Sequence, residues 1–328
     1  MSEAVAHGGQ LGLARRLFPD APEPFLDLST GINPHAYALP ELPAAAFARL
    51  PEPEEVAALE AEAARAYRVA SPEMVVAAPG TQALIQLLPR VFPLPAVAVL
   101  GPTYAEHARA WQMAGARVMS AGSLAELAAA PGAVLCNPNN PDGRRWPAAA
   151  LLAAAPRRLL VVDEAFVDLE EDADRLSLAP MLPQPGVVVL RSFGKTFGLA
   201  GLRLGFALAA PTAATALRAA LGPWAVSGPA IAAGRAALAD TAWRDAMRER
   251  LRREAAALDG CLAAAGLQVL GGTMLFRLAA GDRAPQLFER LGRAGILVRR
   301  FSEQPRWLRF GLPDTANAWA RLRAALAG

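Results

Sequence analysis

Arg191-Ser192-Phe193-Gly194-Lys195-Thr196-Phe197-Gly198-Leu199-Ala200-Gly201-Leu202-Arg203-Leu204-Gly205 is the stretch on which the reading of this chain turns. Lys195 is the only lysine among 328 residues. Arginine serves wherever a position needs only positive charge. It cannot replace an amine that must lose its proton and attack a carbonyl, because a guanidinium stays charged in proteins. A Schiff-base lysine is such a position. Ser192 lies three residues before Lys195 and Arg203 eight after it, among glycines that permit close backbone approach. Hydroxyl, amine and guanidinium in this arrangement suit a ligand with an aldehyde at one end and a phosphate at the other. Pyridoxal 5′-phosphate has that chemistry.

A different phosphate reading fails on spacing. Gly194-Lys195-Thr196 matches the end of a G-x-x-x-x-G-K-[ST] loop. The first glycine would then stand at position 189, which is a valine inside the apolar run Val187-Val188-Val189-Leu190. That run reads as a buried strand and cannot cradle phosphates with its backbone.

Composition bounds the remaining classes. A chain of this length buries a substantial core. It is rich in alanine, yet no uncharged run has the character of a transmembrane span. Glu3 and the lack of an apolar stretch near the start argue against a secretory signal. Cys136 and Cys261 are too few for a disulfide framework, and three histidines form no metal-ligand spacing. The expectation is a soluble cytoplasmic protein without metal. The net charge is +3, and basic clusters such as 248–253 alternate with acids rather than aromatics. That pattern suits a solvated helix face and argues against nucleic acid as a partner.

Along the chain, residues 1–40 are rich in Gly, Pro and isolated polar groups and read as an arm with little regular structure. Residues 54–67 have helical periodicity, ended by Ser71-Pro72. Strand candidates then alternate with helices at 74–77, 96–100, 117–119, 133–136, 159–162, 187–190 and 203–207. This alternation predicts an α/β domain over 41–215 with a mostly parallel, seven-stranded sheet. Past residue 215 a helical region at 228–262 leads into short strands at 268–270, 274–278, 296–299 and 307–310. A smaller α+β domain is expected over 216–328.

The polar motifs follow the strands, where open α/β sheets gather ligands. Gly80-Thr81-Gln82 opens a helix whose free N–H groups favour a phosphate, although an ordinary capped turn reads the same way. Tyr104 after the next strand could stack on a planar ring or simply pack. Asn137-Pro138-Asn139-Asn140-Pro141-Asp142-Gly143 is a turn by composition, with an amide available to a phenolate oxygen. Asp163 and Glu164 end another strand. A buried acid needs a partner, and a pyridinium N–H would serve Asp163, while Glu164 alternates to the opposite face. In the second domain Arg299 and Arg309 each end an apolar strand, and arginine takes carboxylate or phosphate bidentately.

In order and spacing, Gly80-Thr81, Tyr104, Asn140-Pro141-Asp142-Gly143, Asp163-Glu164-Ala165, Ser192, Lys195, Arg203 and Arg309 resemble fold type I pyridoxal-phosphate enzymes of the aspartate-aminotransferase superfamily, over nearly the whole chain. The resemblance implies that Lys195 carries the cofactor as a Schiff base and moves protons at the substrate. It implies that Asp163 pairs with the ring nitrogen, Asn140 donates to the ring oxygen and Tyr104 stacks. Gly80, Thr81, Ser192 and Arg203 would hold the phosphate, with Gln82 also at the cofactor, and Arg309 would take the substrate carboxylate. Many members have tyrosine where this chain has Phe166.

Two branches compete. Histidinol-phosphate aminotransferases share the core motifs, the short length and Arg299. The opening His7-Gly8-Gly9, Asp27-Leu28-Ser29-Thr30-Gly31-Ile32-Asn33-Pro34, Asp163-Glu164-Ala165-Phe166 and Pro223-Trp224-Ala225-Val226 resemble instead the threonine-phosphate decarboxylases of cobalamin biosynthesis. That resemblance makes a small phosphorylated amino acid the expected substrate and His7, Asn33 and Arg299 candidates for its phosphate and surroundings. It also makes Phe166 the expected residue. A homodimer is implied, yet Leu50-Pro51-Glu52-Pro53 lacks the tyrosine hydroxyl with which relatives reach a partner's cofactor phosphate. A regulator using the same fold as a sensor is a distant alternative, since the first forty residues cannot form a DNA-binding winged helix.

Overall fold

Apolar runs too short for helices and bounded by Gly, Pro or Asn become the strands of this chain. The computed structural model describes residues 7–156 and 158–327. In chain order the strands are β1 (Leu26–Leu28), β2 (Val75–Ala78), β3 (Ala96–Leu100), β4 (Arg117–Ala121), β5 (Gly132–Cys136) and β6 (Leu159–Asp163). They continue as β7 (Val187–Ser192), β8 (Gly205–Ala209), β9 (Gln268–Thr273), β10 (Phe276–Ala280), β11 (Ile296–Arg300) and β12 (Trp307–Gly311). The chain divides into two compact units. The larger comprises Ala36–Asn140 and Arg144–Asp245. The smaller takes the described residues up to His35, Pro141–Gly143 and the chain from Ala246 on.

The larger unit is built on a seven-stranded sheet of order β2-β8-β7-β6-β5-β3-β4. β8 is antiparallel to both its neighbours, and the other six strands share one direction. Every residue of β2, β3, β5, β6, β7 and β8 is buried, as expected of strands covered by helices on both faces. The edge strand β4 is partly exposed. β8 begins at Gly205, two residues later than the apolar pattern places it. The reason is local: Arg203 adopts φ 54° and ψ 57°, a left-handed conformation that cannot continue into a strand. Residues 216–245 also belong here. Gly234 of the helix Gly228–Ala239 meets Leu59 of the helix Pro53–Tyr67 so closely that a β-carbon would lie 2.8 Å from Leu59 Cδ1. The helical run beyond residue 228 is broken at Asp240, whose carboxylate accepts from Trp243 N at 2.9 Å and starts the helix Thr241–Ala264.

The smaller unit holds a five-stranded sheet of order β1-β11-β12-β10-β9. Its outermost strand comes from the segment that reads as an irregular arm. Leu26-Asp27-Leu28 pairs in parallel with Ile296-Leu297-Val298 and satisfies the backbone groups along that edge of β11. Three residues are too few for an alternation to be legible in sequence. A helix, Leu11–Leu17, precedes it. Pro141–Gly143 joins this unit because its backbone lies against β9. A β-carbon on Gly143, at φ +71°, would lie 2.1 Å from Gly272 O.

Phe18 anchors the start of the chain here, its ring 5.9 Å from that of Phe288 and directly over Gly292. A β-carbon on Gly292 would fall 2.2 Å from two carbons of the Phe18 ring. Gly292→Ala is therefore expected to displace Phe18 and lower stability by about 1–3 kcal/mol, the usual result of overpacking. Urea denaturation followed by circular dichroism measures it.

Candidate functional site

Within the larger unit, the carboxyl ends of the six codirectional strands and the amino end of β8 lie along one edge of the sheet. Gly205 is in register with Ala78 of β2 on one side and Ser192 of β7 on the other. The reversed strand thereby brings Arg203 beside the first turn of the helix Thr81–Val91. A β-carbon on Gly80, at φ +83°, would lie 2.6 Å from Arg203 Nη2, and one on Gly205 would lie 2.7 Å from Thr81 N. Only glycines fit at these two points. Gly80, as N-cap, has no side chain to offer the first N–H groups of the helix. Gly80, Thr81, Ser192 and Arg203 are thus brought together at one end of the sheet, where N–H, hydroxyl and guanidinium donors of the kind that could hold an anion are available.

A second group lies along the same edge. Asp163 ends β6, is 5% exposed, and places Oδ2 3.0 Å from His107 Nε2. Its Oδ1 accepts from Ala165 N at 3.1 Å. Burial alone would push the Asp163 carboxyl up, but the hydrogen bond and charge of His107, then the charge of Lys195, hold it below the ordinary range. His107 is itself buried, which disfavours the imidazolium. The Cys136 sulfur and the Asp163 carboxylate outweigh that, and its pKa is pushed up to about 10. The sequence reading missed His107. Its one signal was its place three residues after Tyr104, on the same face of the helix Ala105–Met113. Tyr104 Oη donates to Gln82 Oε1 at 3.1 Å, and its ring meets His107 edge-on. Burial, with Glu106 and Asp163 adding to it, raises the Tyr104 hydroxyl to about 12, so it stays protonated.

The three asparagines of the turn after β5 separate by role. Asn137 Nδ2 donates to Trp146 O and Leu176 O, while its Oδ1 accepts from Trp146 N. Asn139 accepts from Thr103 Oγ1 at 2.7 Å and donates to Pro102 O. Both are buried and hold the turn together, whereas Asn140 at its crest is half-buried. Lys195, half-buried in the short helix Phe193–Thr196, carries its Nζ 5.0 Å from the centroid of the Phe166 ring.

Within the smaller unit, Arg299 of β11 and Arg309 of β12 are directly opposite each other across the strand pair. Such pairs project to the same face. Arg309 is buried over the Phe276 ring and donates from Nη2 to Ser29 O at 2.8 Å. Burial, reinforced by the charge of Arg299 and opposed by Asp27, lowers its pKa to about 10. The two guanidiniums thus share one face of the smaller unit's sheet, with Asp27 the acid that acts on Arg309. Ser29 also fixes the segment behind His7: its Oγ accepts from Gly9 N at 2.8 Å and donates to Asp27 Oδ1 at 2.5 Å. His7 is half-buried at the start of that segment. Asn33, fully buried, accepts from His35 N through its Oδ1 at 3.0 Å.

The profile of the class I and II aminotransferases matches residues 25–320. The chain belongs to that family. It is 45% identical to a threonine-phosphate decarboxylase of Sinorhizobium sp, over 100% of this chain and 99% of that protein. A threonine-phosphate decarboxylase of Pseudomonas aeruginosa is 44% identical over 99% of this chain and 98% of its own. Among solved structures, the histidinol-phosphate aminotransferase of Sinorhizobium meliloti in complex with pyridoxal-5′-phosphate is 26% identical, with a TM-score of 0.77 over 87% of this chain and 83% of that one.

Behind the lysine of this aminotransferase-family chain lies a buried ionic network. Arg191 Nη1 is 3.1 Å from Glu164 Oε2, and Nη2 is 3.2 Å from Asp168 Oδ1. The guanidinium sits 4.5 Å over the Tyr67 ring. Thr196, the neighbour of Lys195, donates its Oγ1 to Asp168 Oδ2 at 3.0 Å. Glu164 also accepts from Ser177 Oγ and Leu178 N, both at 2.7 Å. Burial pushes its carboxyl up to about 7 although Arg191 and these donors hold it down. Shared between two acids, Arg191 remains charged. The expectation that Glu164 faces away from Asp163 in a structural role accords with these partners. Asp168→Ala leaves Arg191 half-compensated and Thr196 without its acceptor. A loss of about 3–5 kcal/mol is expected from breaking a buried pair, with Asp168→Asn losing less; urea midpoints report both.

Proposed function

We propose that this chain decarboxylates O-phospho-L-threonine to (R)-1-amino-2-propanol O-2-phosphate and CO2, with pyridoxal 5′-phosphate as cofactor, in cobalamin biosynthesis. The observation that carries the reading is the full-length identity, 45% and 44%, to two threonine-phosphate decarboxylases. The cofactor reading has independent support in the cradle at Gly80 and Gly205, where a β-carbon would fill the space beside Arg203 and Thr81.

Pyridoxal phosphate, held through its aldehyde on Lys195 until the substrate's amine takes that place and frees Nζ, would supply an electron sink for the bond broken at the substrate's α-carbon. The part proposed for each residue is the one that the family resemblance implies, and its chemistry suits it. Thr81, Ser192, Arg203 and the helix start at Gly80 receive the cofactor phosphate. Asp163, kept ionised by His107, receives a protonated ring nitrogen. Asn140, Gln82 and Tyr104 are assigned to the rest of the ring's surroundings. Phe166 over Lys195 Nζ has no hydroxyl to donate, so the ring oxygen depends on Asn140. Arg309 takes the substrate carboxylate, and Arg299, His7 and Asn33 take its phosphate and surroundings. The Cα–carboxylate bond breaks, its electron pair stays at Cα, and Lys195 Nζ delivers the proton that replaces CO2. Arg309 would fix the carboxylate that leaves and Arg299 the phosphate that stays, so the two anionic ends of the substrate are held by separate guanidiniums.

The reading extends to a homodimer acting in the cytoplasm. Among the described residues no helix is long and apolar enough to cross a membrane. In the larger unit Phe47, Leu50 and Trp224 are 68%, 63% and 59% exposed, apolar side chains that a second copy would cover. Sedimentation equilibrium is expected to give twice the chain mass, and Leu50→Glu to shift it toward one.

The cofactor-loaded chain given O-phospho-L-threonine without 2-oxoglutarate is expected to release CO2 and aminopropanol phosphate in equal amounts. No CO2, but glutamate-dependent amino transfer to imidazole-acetol phosphate, would make it a histidinol-phosphate aminotransferase instead. Lys195→Ala and Lys195→Arg are both expected to abolish turnover, the second despite keeping the charge.

A further inference from the structure

Cys136 is a buried thiol that the proposed reaction does not use. It ends β5 in register with Asp163 at the end of β6, so the two side chains leave adjacent parallel strands on the same face. His107 reaches the same point from the helix Ala105–Met113, with Nε2 3.0 Å from Asp163 Oδ2. One ring nitrogen, the sulfur and one carboxylate oxygen all lie within 4.8 Å of one another, and all three residues are buried.

We propose that, in the chain without its cofactor, His107, Cys136 and Asp163 bind a thiophilic divalent cation of the Zn2+ class, and that cation and cofactor exclude each other. The exclusion rests on the reading of Asp163 as partner of the cofactor's ring nitrogen; the cation site does not.

The donor set decides the class of ion. Imidazole nitrogen, thiolate and carboxylate are zinc ligands, whereas Mg2+ and Ca2+ take oxygen. Zinc–ligand bonds of about 2.0–2.3 Å separate neighbouring ligand atoms in a tetrahedron by about 3.3–3.8 Å. The three donors are already inside a 4.8 Å envelope, so modest side-chain rotation closes the site. Charge balances as well once the cation displaces the His107 and Cys136 protons into solvent: a dication, a neutral imidazole, a thiolate and a carboxylate sum to zero, which suits a buried position. Two donors stand on central strands of the sheet and the third on a helix, so little ordering is needed on binding. Three protein ligands leave a fourth position for water or a small anion. Binding occupies Asp163, the group the ring nitrogen requires. Free zinc would then act as an antagonist of cofactor loading.

The test uses the full chain stripped of cofactor. Titration with Zn2+ against a chromophoric chelator is expected to find one site per chain. Co2+ in its place is expected to show thiolate-to-cobalt charge-transfer absorption. Pyridoxal phosphate uptake, read from its own absorbance, is expected to weaken in proportion to Zn2+, and the loaded chain to bind no cation at this site. Cys136→Ser is expected to take up the cofactor normally and lose the cobalt band. It should also weaken zinc binding by about tenfold or more, the loss that follows removal even of a ligand's hydrogen-bond partner. Cys261→Ser, on the other thiol, should change none of these. No zinc binding, equal binding by wild type and Cys136→Ser, or equal binding by the loaded and stripped chains would overturn the proposal. The competition on wild type needs no variant, so a misfolded Cys136→Ser would not shelter it. Failure of cofactor uptake in the absence of any metal would instead overturn the cofactor reading.

Discussion

The ionised carboxylate of Asp163, almost wholly out of water, sets the terms for the sheet edge around it. A buried charge is tolerated only when paired and hydrogen-bonded. Here His107 supplies the pair, Ala165 the backbone N–H, and Lys195 a second positive charge. Each of those partners imposes something on the chain: a helix after β3 at the right height, a tight turn after β6, and a lysine in the turn after β7. The seven-stranded sheet is the scaffold that meets all three demands at once.

A second buried charge is compensated differently. Arg191 lies between Glu164 and Asp168, stacked over Tyr67, with Thr196 completing the set. Glu164 and Asp163 are adjacent in sequence and point to opposite sides, so one strand end serves two networks with separate partners. Through Thr196 the Arg191 network holds the turn that carries Lys195; through His107 the Asp163 network holds the polar end of the sheet. In the smaller unit the same economy recurs, since Ser29 receives Arg309 through its carbonyl and Gly9 through its hydroxyl.

The fold was largely legible because parallel strands covered on both faces read as short apolar runs between helices. The segments 96–100 and 187–190 needed little more than their composition. β1 was not legible: Leu26-Asp27-Leu28 has no period to detect, and it is a strand only because β11 offers an unpaired edge. The start of β8 was misplaced because the left-handed conformation of Arg203, a non-glycine residue, leaves no mark in sequence. Of the candidate cofactor residues, Gly80, Thr81, Ser192 and Arg203 are gathered around one point. His107, whose contact is 56 positions away, was passed over as one histidine among three.

The sequence by itself determined which chemistry the chain can carry. A single lysine flanked by a serine three residues before and an arginine eight after is a covalent fact, and so is the order of turns after strands. Local periodicity and residue identity survive in one dimension. Only the tertiary structure decided which charges compensate which. The pairs Asp163 with His107, Arg191 with Glu164 and Asp168 with Thr196 join residues 27 to 56 positions apart. No local period encodes those distances. They are set by strand order, which places β6 between β5 and β7, and by the helices packed on that sheet.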